Sequence, residues 1–203
     1  MKKIPTLFKR EFEGHKIVNV LPEVTEGMEW VLKGEGTATV KFDGSCCAII
    51  DGVFYKRYDA KRGKPIPEGA IKCQEEPDPI TGHLPCWVEV DWDNPADKWF
   101  VNAYNNTPLS YEDCYTSRTY EAIGPHFQGN PYDLPDDILE PHGDMVIIRL
   151  ERTFEGIKKC LEENHIEGIV FWKDGEPKCK IKRSDFGFKW GKMPPNSQEK
   201  IML

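Results

Sequence analysis

The chain lacks an excess of positive charge, a long apolar run and any recognisable metal-finger pattern. Each absence removes a class of protein. A formal net charge of −7 at pH 7 opposes a protein that coats nucleic acid regardless of sequence. No apolar stretch approaches the ~20 residues of a bilayer span, so no membrane partner is expected. The opening MKKIPTLFKREF is broken by Lys9 and Arg10, unlike a secretory signal. The seven cysteines form no C-x-x-C and have no histidines at finger spacing, which argues against structural zinc. An odd number cannot pair fully, so buried free thiols in a reducing, cytoplasmic location are expected. There is no internal repeat and no low-complexity tail.

What is present fits one globular domain over residues 1–203. The chain has a mass of 23.4 kDa, with 39% apolar and 30% charged residues. Its cations are clustered. Residues 56–64, KRYDAKRGK, carry five against one acid, and residues 178–192 carry six against one. Such runs are usually solvated faces, but on an acidic protein they also suit a local phosphate site.

Strand signals dominate. CCAIID and VFYKRY flank Asp51-Gly52, a dipeptide suited to a two-residue hairpin. ATVKF reaches a similar turn at Asp43-Gly44, with Val40 and Phe42 on one side and Thr39 and Lys41 on the other. Residues 65–88, rich in Pro and Gly, predict a long irregular connection. Asn94-Pro95 predicts the start of a helix whose Trp99, Phe100 and Ala103 face the core. Residues 115–123 and 145–150 predict strands. Thr153 predicts the cap of a helix running to about His165, with Phe154, Ile157 and Leu161 on one stripe.

In HIEGIVFWKDGEPKCKIKR an apolar strand turns at Asp174-Gly175 and returns. A two-residue loop there pairs Lys173 with Glu176, Ile169 with Lys180 and Glu167 with Lys182. Positions 167, 169, 171, 178, 180 and 182 then share a face. An ordinary cross-strand salt bridge would explain that set, at well under ~1 kcal/mol.

Alone, K-x-D-G recurs by chance in roughly one chain of this size in twenty. The order of the whole set is more specific: KFDGS at 41–45, a basic strand end at 56–57, YEAIG at 120–124, EGIVFW at 167–172 and KCKIK at 178–182. In this order the chain resembles the covalent nucleotidyltransferase superfamily of RNA ligases, DNA ligases and mRNA capping enzymes. KFDGSCC, TYEAIGPHFQGNPY and IKRSDFGFKW are most similar to the compact ATP-dependent 5′-to-3′ RNA ligases of the vertebrate RNA ligase 1 kind. The resemblance implies an α+β fold: two antiparallel β-sheets with flanking helices, an ATP-grasp-like nucleotidyltransferase domain. Only 21 residues (203 − 182) follow Lys182, too few for the OB-fold module of DNA ligases and capping enzymes. A DNA nick ligase or GTP-dependent capping enzyme is therefore a weaker expectation, and an idle RNA-binding module weaker still.

The resemblance also implies the chemistry. Lys41 would attack the α-phosphate of ATP to give lysyl-AMP. AMP would pass to an RNA 5′-phosphate, and an RNA 3′-hydroxyl would displace it. A lysine, with a reference pKa near ~10.4, needs like charges or a metal nearby to lose its proton. By resemblance, Lys180, Lys182 and Mg²⁺ (or Mn²⁺) supply these. Glu167 would hold the metal, and Glu121 would accept a hydrogen bond from ribose. Arg57 would touch ribose or phosphate, with Lys56 and Arg62 as competitors, and Glu35 would line the pocket. His83, His126 and His142 read as surface or core residues, because this chemistry needs no histidine base. Tryptophans can stack on bases, but packing is the better explanation of Trp99 and Trp172.

Overall fold

The computed structural model describes residues 1–14, 16–79 and 81–192. In chain order the elements are β1 (Phe8–Glu13), β2 (Lys16–Val24), β3 (Thr37–Lys41), β4 (Ser45–Ile50), β5 (Val53–Ala60), β6 (Ile71–Lys72) and β7 (Leu84–Glu89). Then come α1 (Lys98–Asn106), α2 (Tyr111–Tyr115), β8 (Arg118–Ile123), β9 (Ile138–Pro141), α3 (Phe154–Glu163), β10 (Gly168–Lys173), β11 (Glu176–Lys182) and a 3₁₀ turn, Arg183–Phe186. The architecture is α+β with antiparallel sheets and few helices. Besides the two larger sheets there is a two-stranded β1–β2 ribbon that the sequence patterns did not signal. None of the helices described is long and apolar enough to cross a membrane. The chain divides into two compact units, one of Met1–Lys3 with Asp43–His142, the other of Ile4–Phe42 with the residues after His142.

The first unit is built on a six-stranded sheet in the order β6-β7-β5-β4-β8-β9. Asp51 and Gly52 take φ of 50° and 82°, the left-handed pair that lets β4 turn directly into β5. Cys47, Ile49, Phe54, Tyr120, Ala122 and Leu139 form its core, with Ala103, Trp99 and Phe100 of α1 packed against them. Helix α1 begins at Lys98, later than expected, because Asn94 opens a turn in which Asp97 N donates to Asn94 O at 2.9 Å. Asp97 precedes the helix but is no side-chain cap: buried, it accepts the Lys56 ammonium and the Asp91 N–H. β8 likewise starts at Arg118, because residues 111–115 form α2. The supposed irregular stretch 65–88 ends in β7, an inner strand. LPCW is buried on both faces, so it shows no alternation to read.

Asp43-Gly44 does not close a hairpin. β3 pairs with β10, whereas β4 pairs with β5 and β8. Gly44 is needed for a different reason: a Cβ there would lie 2.2 Å from Ala122 O.

The second unit carries a three-stranded sheet in the order β11-β10-β3. Residues 5–7 run along the outer edge of β11, where Leu7 N donates to Lys180 O at 2.7 Å and Lys180 N donates to Pro5 O at 3.0 Å. Residues 145–150 are not a full strand. They meet β3 through a bridge at Val146 and two hydrogen bonds, Val40 N to Met145 O and Ile147 N to Ala38 O, then turn away. Ile148 is 82% exposed, so its apolar character follows no sheet face. Thr153 caps α3 by accepting Gly156 N at 3.0 Å, and Ile157 and Leu161 are buried. The helix ends at Glu163, with Asn164 as its C-terminal cap.

The hairpin register departs from expectation in one informative way. Asp174 and Gly175 form the turn, and Lys173 pairs with Glu176. A bulge between Phe171 and Trp172 then shifts the pairing by one, so Lys180 sits opposite Val170, not Ile169, and Lys182 opposite Gly168. Pro177, paired with Trp172, has no N–H for the ladder, and such residues accompany bulges. The shift changes the face. Ile169 and Phe171 pair with Ile181 and Cys179 in the core, and the lysines take the opposite side.

Candidate active site

The second unit assembles most of the expected set. Lys41, Gly168 and Lys182 form one row across the sheet, and Thr39, Val170 and Lys180 form the next. Residues two apart share a face, so Lys41, Lys180 and Lys182 rise together. The other face buries Val40, Ile169, Ile181, Ala38, Phe171 and Cys179. Gly168 lets the strands approach: a Cβ there would lie 2.3 Å from Ile181 O.

Glu167 precedes β10 and is 6% exposed. One carboxylate oxygen accepts the Lys41 ammonium and the other the Lys182 ammonium. Lys41 Nζ also donates to Phe42 O at 3.3 Å. Burial, reinforced by Lys41 and Lys182, lowers the Lys180 pKa from 10.5 to about 8. Arg10 and Asp185 join the site without any sequence motif that marks them. Arg10 pairs with Asp185 at 2.8 Å, and Asp185 accepts the Lys182 backbone N–H at 2.8 Å. Only the position of Asp185, three residues after Lys182 at the head of a turn, hints at its capping role.

Around Glu167 stand Lys41, Lys180, Lys182 and Arg10 against two carboxylates, Glu167 and Asp185. The cationic excess suits an anion such as a polyphosphate. For a metal ion the fit is conditional. Among the described residues Glu167 belongs to no cluster of three His, Cys, Asp or Glu donors. Mg²⁺ does not require one, because it is commonly held by one or two carboxylates, water and substrate phosphates. A carboxylate accepting two ammonium bonds keeps lone pairs for such a role.

The first unit holds Glu121 and Arg57. Glu121 on β8 is 9% exposed. Its Oε1 accepts Gly44 N at 3.1 Å, and its Oε2 lies 2.9 Å from His142 Nε2. His142 is thus a partner of a site residue, which its isolated place in the sequence concealed. Arg57 lies within β5, and its guanidinium donates to Asp59 at 2.9 Å and to Met1 O at 2.9 Å. Of its competitors, Lys56 is paired with buried Asp97, and Arg62 is exposed. Glu35, in the second unit, pairs with Lys173 at 2.7 Å. Trp99 stacks on His126, and Trp172 donates to Thr39 Oγ1 at 2.9 Å. All seven thiols are free, and Cys47, Cys86 and Cys179 are buried.

No protein-family model matches the chain. It is 28% identical to a zebrafish (Danio rerio) protein named RNA ligase 1, over 54% of this chain and 42% of the relative. It is also 28% identical to the orangutan (Pongo abelii) RNA ligase 1, over 63% of this chain and 50% of the relative. The chain spans about half the length of these curated relatives. The chain, whose motifs at 41–45, 167–172 and 178–182 bring three lysines onto one sheet, is thus related to proteins named RNA ligase 1.

Proposed function

We propose that the chain is an ATP-dependent RNA ligase that joins an RNA 5′-phosphate to a 3′-hydroxyl. The observation that carries this reading is the gathering of Lys41, Lys180 and Lys182 on one sheet face, where the single carboxylate of Glu167 pairs with both Lys41 and Lys182. In the first step Lys41 Nζ attacks the α-phosphorus. A P–N bond forms as the bond to the bridging oxygen breaks, the amine loses a proton to the medium, and pyrophosphate leaves with the electron pair. Glu167 aims the amine before attack. The ammonium groups of Lys182 and Lys180 stabilise charge on the phosphoryl oxygens, where most phosphoryl-transfer catalysis originates. Glu167 would hold Mg²⁺, or Mn²⁺, together with the phosphates, and the bound ion would supply further charge neutralisation. Glu121 is kept as an acceptor for a ribose hydroxyl. Arg57 has weaker support, because Asp59 and Met1 already engage it.

A sealing assay with two RNA substrates tests the proposal. Wild type should join 5′-phosphorylated RNA in the presence of ATP and Mg²⁺. Lys41→Arg should fail on that substrate yet seal RNA already carrying a 5′-adenylate, because the last step needs the pocket and not the nucleophile. Absence of sealing by wild type on both substrates would overturn the reading.

A further inference from the structure

In the first unit three adjacent strands bring a thiol, a carboxylate and an imidazole together. Cys46 on β4 faces Glu121 on β8 directly across the ladder. His142 follows β9, and its N–H donates to Thr119 O at 3.1 Å, which turns its ring over β8. One ligand atom from each of Cys46, Glu121 and His142 lies within 4.8 Å of the others.

The remaining atoms of these groups are already fixed. His142 Nδ1 is 2.9 Å from Thr119 Oγ1, and Glu121 Oε1 accepts the Gly44 N–H at 3.1 Å. His142 Nε2 and Glu121 Oε2 are left facing each other. Outer hydrogen bonds of this kind orient metal ligands and set their tautomers.

We propose that Cys46, Glu121 and His142 form a binding site for a zinc-class divalent cation, with water completing the coordination. A thiolate and an imidazole select zinc over magnesium, which prefers oxygen alone. Tetrahedral zinc, with bonds of about 2.0–2.3 Å, wants its ligand atoms ~3.5 Å apart, which small side-chain rotations reach from the present spacing. Binding displaces one proton from the thiol to the medium. The imidazole shifts its proton from Nε2 to Nδ1, which then donates to Thr119. One thiolate and one carboxylate offset the two charges of the ion, so the partly buried site becomes neutral. The absence of a C-x-x-C pattern concealed this set, whose members are joined by strand pairing and not by spacing. Such an ion would engage the Glu121 carboxylate assigned above to ribose, so on that reading zinc and ATP would compete. The metal site itself does not depend on it.

Titration of the whole protein with Co²⁺, followed by Zn²⁺, tests the site. Wild type should develop a thiolate-to-cobalt charge-transfer band that saturates at one equivalent and is lost on adding one equivalent of Zn²⁺. Cys46→Ser should abolish the band, and His142→Ala should weaken cobalt binding by about tenfold or more. Cys160→Ser, in the other unit, and Lys41→Arg should leave it unchanged, which separates this result from failure of the ligase reading. A missing band, a band that survives Cys46→Ser, or unaltered affinity in His142→Ala would each overturn the proposal. Zinc-edge X-ray absorption of the wild type reads the ligands without any variant. One sulfur among nitrogen and oxygen neighbours is expected, and no sulfur, or more than one, would overturn the site.

Discussion

Replacing Lys180 by methionine should stabilise the protein while impairing it. The ammonium is partly buried beside Lys41 and Lys182, and its pKa falls from 10.5 to about 8. That interval corresponds to about 3 kcal/mol, an upper value for the cost of keeping the charge in the folded state. Methionine retains most of the stem, so Lys180→Met should gain about 1–3 kcal/mol at pH 7. The pH dependence follows by linkage. Below pH 8 the lysine is protonated in both states, and the full penalty is present. Between pH 8 and 10.5 the folded state releases the proton while the unfolded state keeps it, so wild-type stability rises relative to the variant. Urea unfolding of both proteins at pH 7 and pH 10 measures this, and titrations common to both cancel in the difference. The gap should be large at pH 7 and mostly closed at pH 10. A variant less stable than wild type at pH 7, or a gap independent of pH, would refute the reasoning.

Three further outcomes follow from the same geometry. Glu167→Ala should reduce adenylylation by about 10²-fold, read from labelled protein, and near-normal labelling would remove Glu167 from its role. Gly168→Ala places a Cβ 2.3 Å from Ile181 O and should cost about 1–3 kcal/mol, visible as a lowered melting temperature; an unchanged value would mean that the strands part freely. RNA affinity should fall with salt on a slope of only a few phosphates, because Lys56, Lys178 and Lys182 are already paired with acids. A slope equivalent to about eight or more contacts would reveal a larger binding surface.

The sequence announced the two Asp-Gly hairpins, the Thr153 cap and the gathering of Lys41, Glu167, Lys180 and Lys182, because each rests on local chemistry or on motif order. It misplaced the face of the lysines, because a single bulge inverts the parity of everything beyond it. β7 escaped notice because burial on both faces erases alternation, and its proline, Pro85, suggests a loop. Asn94-Pro95 points to a helix start ahead of the true one at Lys98, because Asn94 opens a turn, and Asp97, directly before the helix, spends its carboxylate on Lys56 and Asp91. The partnerships of Arg10 with Asp185 and of His142 with Glu121 join residues distant in the chain. Nothing local in either residue foretells its partner.

The most direct test of the account is the identity of the adenylylated residue. Incubated with labelled ATP and Mg²⁺, wild type should acquire one AMP in an acid-labile, base-stable linkage that pyrophosphate reverses, and peptide mapping should place it on Lys41. Lys41→Arg, whose guanidinium stays protonated above pH ~12, should acquire none while remaining folded. An adduct of full strength in Lys41→Arg, or one that maps to Lys180 or any other residue, would contradict the account.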